Sequence, residues 1–360
     1  MIKLPKITSN QLLIMLITSR MFSMFAYKPQ RYNVGTLSAA LAIAVSVLVN
    51  IAVFLPALFL LRRFPRRNIS DIGYLKWGKW AGIYSIVLML IGLFLSVECL
   101  TQFEIFMSST IYLNAAPIFF VLPMTAVSFF ICRLGIEALA RMSNFVFGGL
   151  VLAIIVISLS ALPKIDLIWI EPLRSSSSMG FWELVADNVA HTTEVLPFMI
   201  FASYTKGKTP KGAVLFAVIV GLLFEITSFV SRTTLGNYRE TVLFPFYTVA
   251  SFAENTLTER FNAAFIVLWV FMAVIKLCVY LLFAGKCLRN LFRFRSDTLP
   301  LLCCACAVVG LTLITTGNIR YADIMYGVIV SGLPILLPAI LFPAGFLLTG
   351  KGAERRREKS

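Results

Sequence analysis

The sequence predicts an all-α polytopic membrane protein, with ten transmembrane helices arranged as a 5+5 inverted repeat whose first and sixth helices are broken. Three observations predict this fold class. Hydrophobic residues make up 59% of the 360 residues, charged residues only 14%, and the mean hydropathy is +0.87. A soluble domain of this length does not need so apolar a composition. The chain also contains ten apolar runs of about 20 residues, the length that crosses a bilayer. Finally, its basic residues are distributed unequally between alternate loops.

The ten predicted spans follow one another with only short connections. Lys28 and Pro29 follow the first run where a signal peptide would have a small-residue cleavage site, so we expect the first span to be retained. Since no connection is long enough for a soluble domain, we expect residues 1–350 to form one transmembrane domain and residues 351–360 a basic cytoplasmic tail. The spans cover residues 8–27, 37–61, 80–106, 116–132, 142–162, 181–204, 212–234, 262–285, 299–317 and 325–348.

The distribution of Lys and Arg predicts the orientation. With the N-terminus inside, the cytoplasmic loops and tails carry 22 basic residues and the opposite side carries 8, including Arg232 at the outer end of span seven. The other 2 lie deep within spans. Basic residues near span ends resist translocation, so both termini are expected in the cytoplasm. An odd number of spans would remove this asymmetry.

The span count also suggests an internal symmetry. Five spans per half is an odd number, so two repeats would have opposite orientations, as in many secondary transporters. In that arrangement the first helix of each half breaks near the middle of the membrane and exposes backbone groups to a ligand. Span six has a plausible break over residues 190–197, because Pro197 removes a helix hydrogen bond. Span one has polar residues at 18–20 and 23 but no Gly or Pro, so its signal is weaker.

We single out six ionisable residues inside the predicted spans. A lone charge at the bilayer centre costs at least about 2.5 kcal/mol, so each requires a partner, an aqueous cavity or a changed protonation state. They are therefore the candidate functional residues of the chain. These residues are Arg20, Glu98, His191, Glu194, Glu225 and Lys276.

Glu194 is the leading ligand-binding candidate. It lies at the centre of span six, three residues before Pro197, and follows Thr192 and Thr193. Its carboxylate either binds a ligand or ties down the broken backbone. His191 precedes it by three residues, so on a helix the two could face one cavity and share a proton. His191 is otherwise a satisfied interior histidine.

The remaining charges suggest ion pairs. Arg20, beside Ser19, is the natural counter-ion for a carboxylate of the protein or of a ligand, because its guanidinium can pair bidentately. Glu98 and Lys276 occupy equivalent spans of the two halves and could pair, most simply as a structural link. Glu225 is either a coupling carboxylate or a partner of Lys276, and the sequence does not choose between them.

Several other classes of function are not supported. The chain has one histidine and lacks GxSxG, HExxH, P-loop and CxxC motifs, so we expect no catalytic residues, metal site or cofactor. The net charge of +15 is spread over short turns rather than one basic face, which argues against nucleic acid binding. Residues 235–261 have a mixed spacing that predicts an amphipathic helix over the outer mouth, either a gate or an ordinary interfacial connector.

Several segments carry a family resemblance that extends over nearly the whole chain. The opening Ile7-Thr8-Ser9-Asn10-Gln11-Leu12, the charged turn at 62–79, and the run from Phe244-Pro245-Phe246 through 259–269 to Lys276 are the closest matches, together with Glu194 before Leu196-Pro197-Phe198. In these segments the chain resembles the spore germination permease family, the B subunits of nutrient germinant receptors, within the amino acid-polyamine-organocation superfamily. Span one departs from the pattern: Ser19-Arg20-Met21-Phe22 stands where many members have a glycine-containing break.

The resemblance implies a ten-span fold with broken helices one and six and a small-nutrient site between them. It also implies a membrane-anchored A subunit and a lipoprotein C subunit as partners, and the inner membrane of a bacterial spore as location. The first hypothesis is therefore a germinant receptor subunit that binds an amino acid or similar nutrient and signals germination. The alternatives are a proton-coupled permease for amino acids or other small solutes, located in the plasma membrane, and a membrane scaffold that transports nothing.

Overall fold

The structure is a computed structural model of the full chain. It describes residues 7–25, 34–64, 67–78, 81–113, 115–170, 178–206, 210–252, 259–316, 319–330 and 333–348. The predicted basic tail at 351–360 lies outside these residues. The described chain is almost entirely helical, so the predicted all-α membrane fold is confirmed.

Fourteen α-helices run through the described residues, joined by short turns of 3-10 and π-helix. In chain order they are α1 Ser9–Phe25, α2 Thr36–Arg63, α3 Ile69–Trp77, α4 Ala81–Phe106, α5 Ile118–Leu134, α6 Ile136–Ala161, α7 Ser178–Ala190, α8 Val195–Phe201, α9 Pro210–Leu235, α10 Pro245–Phe252, α11 Glu259–Phe292, α12 Thr298–Thr315, α13 Ile319–Val330 and α14 Leu333–Leu348.

Six of the described helical segments are long and apolar enough to cross a membrane, judged by length and composition. They are the segments containing α2, α4, α6, α9, α11 and α12, which correspond to predicted spans two, three, five, seven, eight and nine. Spans one and four are shorter helices, and spans six and ten are each divided between two helices. The total of ten spans and their five-plus-five repeat therefore stay predictions.

Span six breaks where the sequence indicates. Helix α7 ends at Ala190 and α8 begins at Val195, leaving His191–Glu194 outside regular helix. Pro197 is the third residue of α8, in the first turn, where its missing N–H has no intrahelical partner to lose. The backbone N–H of Phe198 then donates to Glu194 O at 3.0 Å. The break therefore places four buried polar residues outside regular helix at this point of the fold.

Span one does not show the expected break within its described residues. Helix α1 is continuous from Ser9 to Phe25, and Arg20 lies inside it. The segment contains no Gly or Pro, so no residue removes a ladder hydrogen bond or admits a left-handed backbone. The two halves of the chain thus differ at this point. Span one contributes polar side chains to the interior of the bundle, whereas its backbone stays in regular helix.

Helix α11 lies at the centre of the bundle. It is the most buried of the six long segments, since 72% of its 18-residue apolar stretch lies inside the protein. It packs most extensively against α4 and also contacts α1, α5, α6 and α12. Gly92 of α4 permits this approach, because an added Cβ would lie 2.7 Å from Phe283. The residues that α11 directs toward α1 and α4 are consequently deeply buried.

A short parallel bridge ties the start of α1 to the end of span six. Strand β1, Ile7–Thr8, pairs with β2, Thr205–Lys206. Ser9 Oγ also donates to Lys206 O at 3.3 Å. We call this side of the bundle the basic end, because it also carries the cavity formed by Arg133 and Lys286 with the end of span six. The opposite side is called the far end.

Aromatic residues close the far end above α1. Helix α10 lies within the segment for which the sequence predicts an amphipathic helix. Its Phe246 stacks on Phe25, the last residue of α1, with ring centroids 5.0 Å apart. One layer deeper, the Trp269 ring lies 4.8 Å from Phe22 and 4.1 Å from Phe106. These rings separate the interior of the bundle from the far surface.

Candidate functional site

The carboxylate of Glu194 lies at the break in span six and is fully buried. Its Oε1 atom accepts hydrogen bonds from Ser19 Oγ at 3.1 Å and from the Tyr280 hydroxyl at 3.3 Å. Its Oε2 atom has no hydrogen-bond partner among the residues that the structure describes. Glu194 therefore joins the break to α1 and α11 through one oxygen and keeps the other available.

Arg20 approaches the same break from α1 and is only 1% exposed. Its Nη2 atom donates to the backbone oxygen of Asn188 at 3.0 Å, close to the end of α7. Nε and Nη1 make no hydrogen bond within the described part of the chain, and both side-chain polar atoms of Asn188 are likewise without a partner there. The guanidinium interacts electrostatically with Glu194 and Asp187. A cation with two free donors and a carboxylate with a free oxygen thus flank one break.

The two threonines of the break make different contacts. Thr193 shares a hydrogen bond with the hydroxyl of Tyr280, which also donates to Glu194. Thr192 Oγ1 donates back to Asn188 O at 3.2 Å, so it caps the end of α7. Of the two, Thr193 belongs to the network around Glu194, whereas Thr192 stabilises the broken backbone.

His191 contacts Asp187 and Tyr326 rather than Glu194 among the described residues, unlike the arrangement considered from the sequence. Its Nδ1 atom lies 3.0 Å from Asp187 Oδ1 and 2.9 Å from Asp187 O, and its ring lies 5.1 Å from that of Tyr326. The Tyr326 hydroxyl donates to Asp187 Oδ1 at 2.7 Å. The shared cavity with Glu194 assumed three residues of regular helix, but the helix ends at Ala190, so this spacing does not hold.

Lys276 forms a second buried polar cluster beside the first. Its Nζ atom donates to Ser23 of α1 and lies 3.7 Å from Glu98 Oε2 of α4. It also lies 5.8 Å from the Phe22 ring centroid and 5.5 Å from that of Tyr280. The Glu98–Lys276 pair proposed from equivalent spans is therefore in contact. The Lys276 ammonium is held between α1, α4 and α11.

Glu225 lies apart from both clusters. It is half-buried on α9, and Arg232, seven residues later on the same helix, interacts with it electrostatically. Lys276 reaches Glu98 instead, and no ion pair between Lys276 and Glu225 occurs among the residues described here. The structure therefore offers no support for the Lys276 alternative, while a coupling role for Glu225 stays untested.

Sequence reasoning missed five residues of these networks. Asp187 was the detectable one, because it lies in predicted span six at i−4 to His191, the spacing of a helical pair. The others are Ser23, Asn188, Tyr280 and Tyr326, whose side chains are ordinary polar or aromatic groups until the fold places them against a charge.

The site is suited to binding rather than to bond-making chemistry. Buried charges remain stable only if paired, and here one guanidinium and one carboxylate each keep unsatisfied atoms. A ligand that carries both an anionic and a cationic group would satisfy both. Among the described residues, no group of three or more His, Cys, Asp or Glu side chains could hold a metal ion.

Comparison with protein families gives one match that covers most of the chain. A family model described as spore germination protein matches residues 6–321. This match supports a membrane permease or germinant receptor and not an enzyme. No curated protein matches the chain.

Solved transporters share the fold. The structure of MhsT in complex with L-phenylalanine has a TM-score of 0.64 and 13% sequence identity, covering 96% of this chain and 99% of that chain. Mhp1, a nucleobase-cation-symport-1 family transporter in a closed conformation with bromovinylhydantoin bound, has a TM-score of 0.67 and 13% identity, covering 91% of this chain and 76% of that chain. At this identity the likeness establishes the fold alone.

Proposed function

The chain belongs to the spore germination protein family, and on that basis we propose that it is the B subunit of a nutrient germinant receptor. In this proposal an amino acid or similar small nutrient binds in the middle of the membrane, at the break in span six. Binding then signals spore germination.

The observation that carries the proposal is the pairing of unsatisfied charges at the break. Glu194 Oε2 lacks a donor, and Arg20 Nε and Nη1 lack acceptors, within the described residues. An α-amino acid presents a carboxylate and an ammonium a few ångströms apart. In this proposal its carboxylate accepts hydrogen bonds from Arg20 and its ammonium donates to Glu194, because charge-assisted hydrogen bonds are the strongest that side chains make.

The remaining polar groups would hold these two residues in position. Ser19 and Tyr280 fix Glu194 Oε1, and Thr193 orients the Tyr280 hydroxyl. Asn188 offers both a side-chain donor and an acceptor to a bound ligand. Since α1 is unbroken, ligand capture on this side relies on the Arg20 side chain rather than on exposed backbone.

Two structural neighbours are consistent with a small ligand in this fold. One carries L-phenylalanine and the other bromovinylhydantoin. They support the proposal that the ligand of this chain is a small organic molecule, with an amino acid preferred because of the paired charges described above.

The family assignment extends the proposal to partners and location. We include a membrane-anchored A subunit, a lipoprotein C subunit and the inner membrane of a bacterial spore. We also include ten spans in a single domain over residues 1–350, with both termini cytoplasmic, so that the basic end faces the cytoplasm. The asymmetry of 22 against 8 basic residues supports this orientation.

A second candidate function is a proton-coupled permease for amino acids or other small solutes. The transporter fold and the buried carboxylate Glu194 favour it, since carboxylates in spans form proton relays. Uptake by the isolated chain in vesicles distinguishes the two, because a receptor subunit needs its partners to act and a permease does not.

Spores that carry Glu194→Gln test the proposal. The amide keeps the shape but removes the charge, so we expect the nutrient concentration for half-maximal germination to rise at least about tenfold. Glu137→Gln is the matched control, because Glu137 is exposed and, within the described residues, pairs with Arg141 on the same helix. An unchanged dose-response in Glu194→Gln spores with normal protein levels would refute it.

A further inference from the structure

A cavity of about 190 Å³ opens at the basic end, away from the break in span six. Four parts of the fold form its wall: the turn between α5 and α6, the end of span six, the last third of α11 and the start of α12. Neither the family match nor the proposed nutrient site assigns it a role. Its lining includes Arg133, Tyr204, Leu282, Lys286, Asp297 and Leu301.

The charges at this cavity leave it positive. Lys286 Nζ lies 2.7 Å from Asp297 Oδ2, and Arg289 Nη1 lies 2.8 Å from Asp297 Oδ1. Burial raises the pKa of Asp297, but Lys286 and Arg289 together outweigh it and hold that pKa below its ordinary range. One anion is thus shared by two cations. Arg133, which is exposed at the rim, adds a second cation to the lining, which does not include Arg289.

Apolar and aromatic side chains also line the cavity. Phe201, Leu282 and Leu301 are buried there, and the Lys286 ammonium lies 5.7 Å from the centroid of the Tyr204 ring. This contact keeps the lysine at the wall, where its side chain is only 18% exposed. The cavity therefore combines cationic and apolar lining groups, as a site for an anionic amphiphile requires.

The two cations of the lining, Arg133 and Lys286, favour a phosphate group. An Arg fork and a Lys ammonium are the side chains that proteins use most for phosphate oxygens. Helices α6 and α12 also begin at the wall, at Ile136 and Thr298, and the first N–H groups of a helix add to such a site. A phosphate can contact Lys286 and Arg133 without displacing Asp297, since Arg289 continues to balance that carboxylate.

We propose that this cavity binds the phosphate group of an anionic ligand, held by Lys286 and Arg133 with its apolar part against Tyr204, Leu282 and Leu301. Phosphate of this kind is carried by an anionic phospholipid of the adjacent leaflet or by a soluble phosphorylated compound. The cavity borders Phe201 and Tyr204, at the end of the second half of broken span six. A ligand in the cavity therefore contacts the end of span six. In this proposal it restrains any shift of α8 relative to α7.

The test uses the full-length purified protein in a neutral detergent. Binding is measured by thermal shift and by microscale thermophoresis with phosphatidylglycerol in mixed micelles, with phosphatidylcholine as the uncharged comparison, and with inorganic phosphate alone. The variants are Lys286→Gln and Arg133→Gln. Arg141→Gln is the matched control, because Arg141 is an exposed cation of α6 that pairs with Glu137 and lies outside the cavity lining.

We expect saturable binding of phosphatidylglycerol but not phosphatidylcholine, weakened roughly tenfold or more in Lys286→Gln and in Arg133→Gln and unchanged in Arg141→Gln. The same pattern with inorganic phosphate alone would support a soluble ligand. Arg133→Gln keeps the test decisive if Lys286→Gln fails to fold, since Arg133 is exposed. Binding that survives in Arg133→Gln, or that falls equally in Arg141→Gln, would overturn the proposal.

Discussion

Ser19 Oγ donates a hydrogen bond of 3.1 Å to Glu194 Oε1, and this contact joins an unbroken helix to a broken one. The two residues come from α1 and from the break before α8, and the Tyr280 hydroxyl from α11 donates to the same oxygen. The carboxylate is therefore fixed by two donors on two helices. A ligand that binds its other oxygen changes the charge balance at the point where three helices meet.

The buried guanidinium of Arg20 should matter more for stability than any exposed arginine. Replacing it by alanine leaves the nearby carboxylates of Glu194 and Asp187 without their cation, so we expect a loss of about 3 kcal/mol or more in the free energy of unfolding. Thermal unfolding in detergent, followed by intrinsic fluorescence, measures the change. Arg141→Ala is the control, because its side chain is 70% exposed, and it should unfold like the native protein. Equal stability of the two variants would show that Arg20 is solvated.

The Glu98–Lys276 pair should behave as a coupled unit. Lys276→Met strands a buried carboxylate and Glu98→Gln strands a buried ammonium, so each single variant should be strongly destabilised. The double variant removes both charges and should recover most of the loss. A double-mutant cycle on unfolding free energies is expected to give a coupling of about 1–3 kcal/mol. Additive effects of the two substitutions would mean that the charges do not interact.

The hydroxyl of Tyr326 should help hold α13 against α7. It donates to Asp187 Oδ1 at 2.7 Å, and a hydrogen bond to a charged group is worth about 1.5–3 kcal/mol. Tyr326→Phe removes only this oxygen, so the unfolding free energy should fall by about that amount. Tyr321→Phe, an exposed tyrosine of the same helix, is the control. No difference between these variants in a denaturation series would contradict the contact.

The packing of α2 against α9 depends on a glycine. A Cβ added to Gly221 would overlap Cγ2 of Val47, whereas one added to Gly148 on α6 would meet no atom within 4 Å. Gly221→Ala should therefore lower the melting temperature, Gly148→Ala should not, and Val47→Ala should restore much of the stability of Gly221→Ala. Overpacking of this kind typically costs about 1–3 kcal/mol. If Val47→Ala gave no rescue, the helices would not approach as described.

The fold class could be predicted because bilayer thickness imposes run lengths that a single sequence displays. Apolar runs identified six long segments, and Pro197 located the break in span six, since a missing N–H acts locally. The break expected in span one rested on symmetry, on the family resemblance and on a few polar residues, with no Gly or Pro to mark it. No Gly or Pro in Ser9–Phe25 interrupts the helix, and α1 remains continuous there.

The site could be predicted mainly where a charge in a span marks a residue, although Asp187 was missed. Arg20 and Glu194 were identifiable because an ionisable group in a span requires a partner. Tyr280 was not, because its role depends on a contact across 86 positions of the chain. The sequence also could not predict the partner of His191, because that partner depends on where helix α7 ends. Local chemistry therefore gave the charges, and tertiary structure decided which neighbours they have.

Ligand binding at Glu194 is the central claim, and thermal-shift titration of the purified protein with a panel of amino acids tests it most directly. A ligand that binds only the folded state raises the melting temperature in proportion to its saturation. We predict that at least one amino acid stabilises the native protein and Glu137→Gln equally, and that Glu194→Gln, though folded, responds only at concentrations at least about tenfold higher. An equal response from Glu194→Gln to the same amino acid would contradict the account.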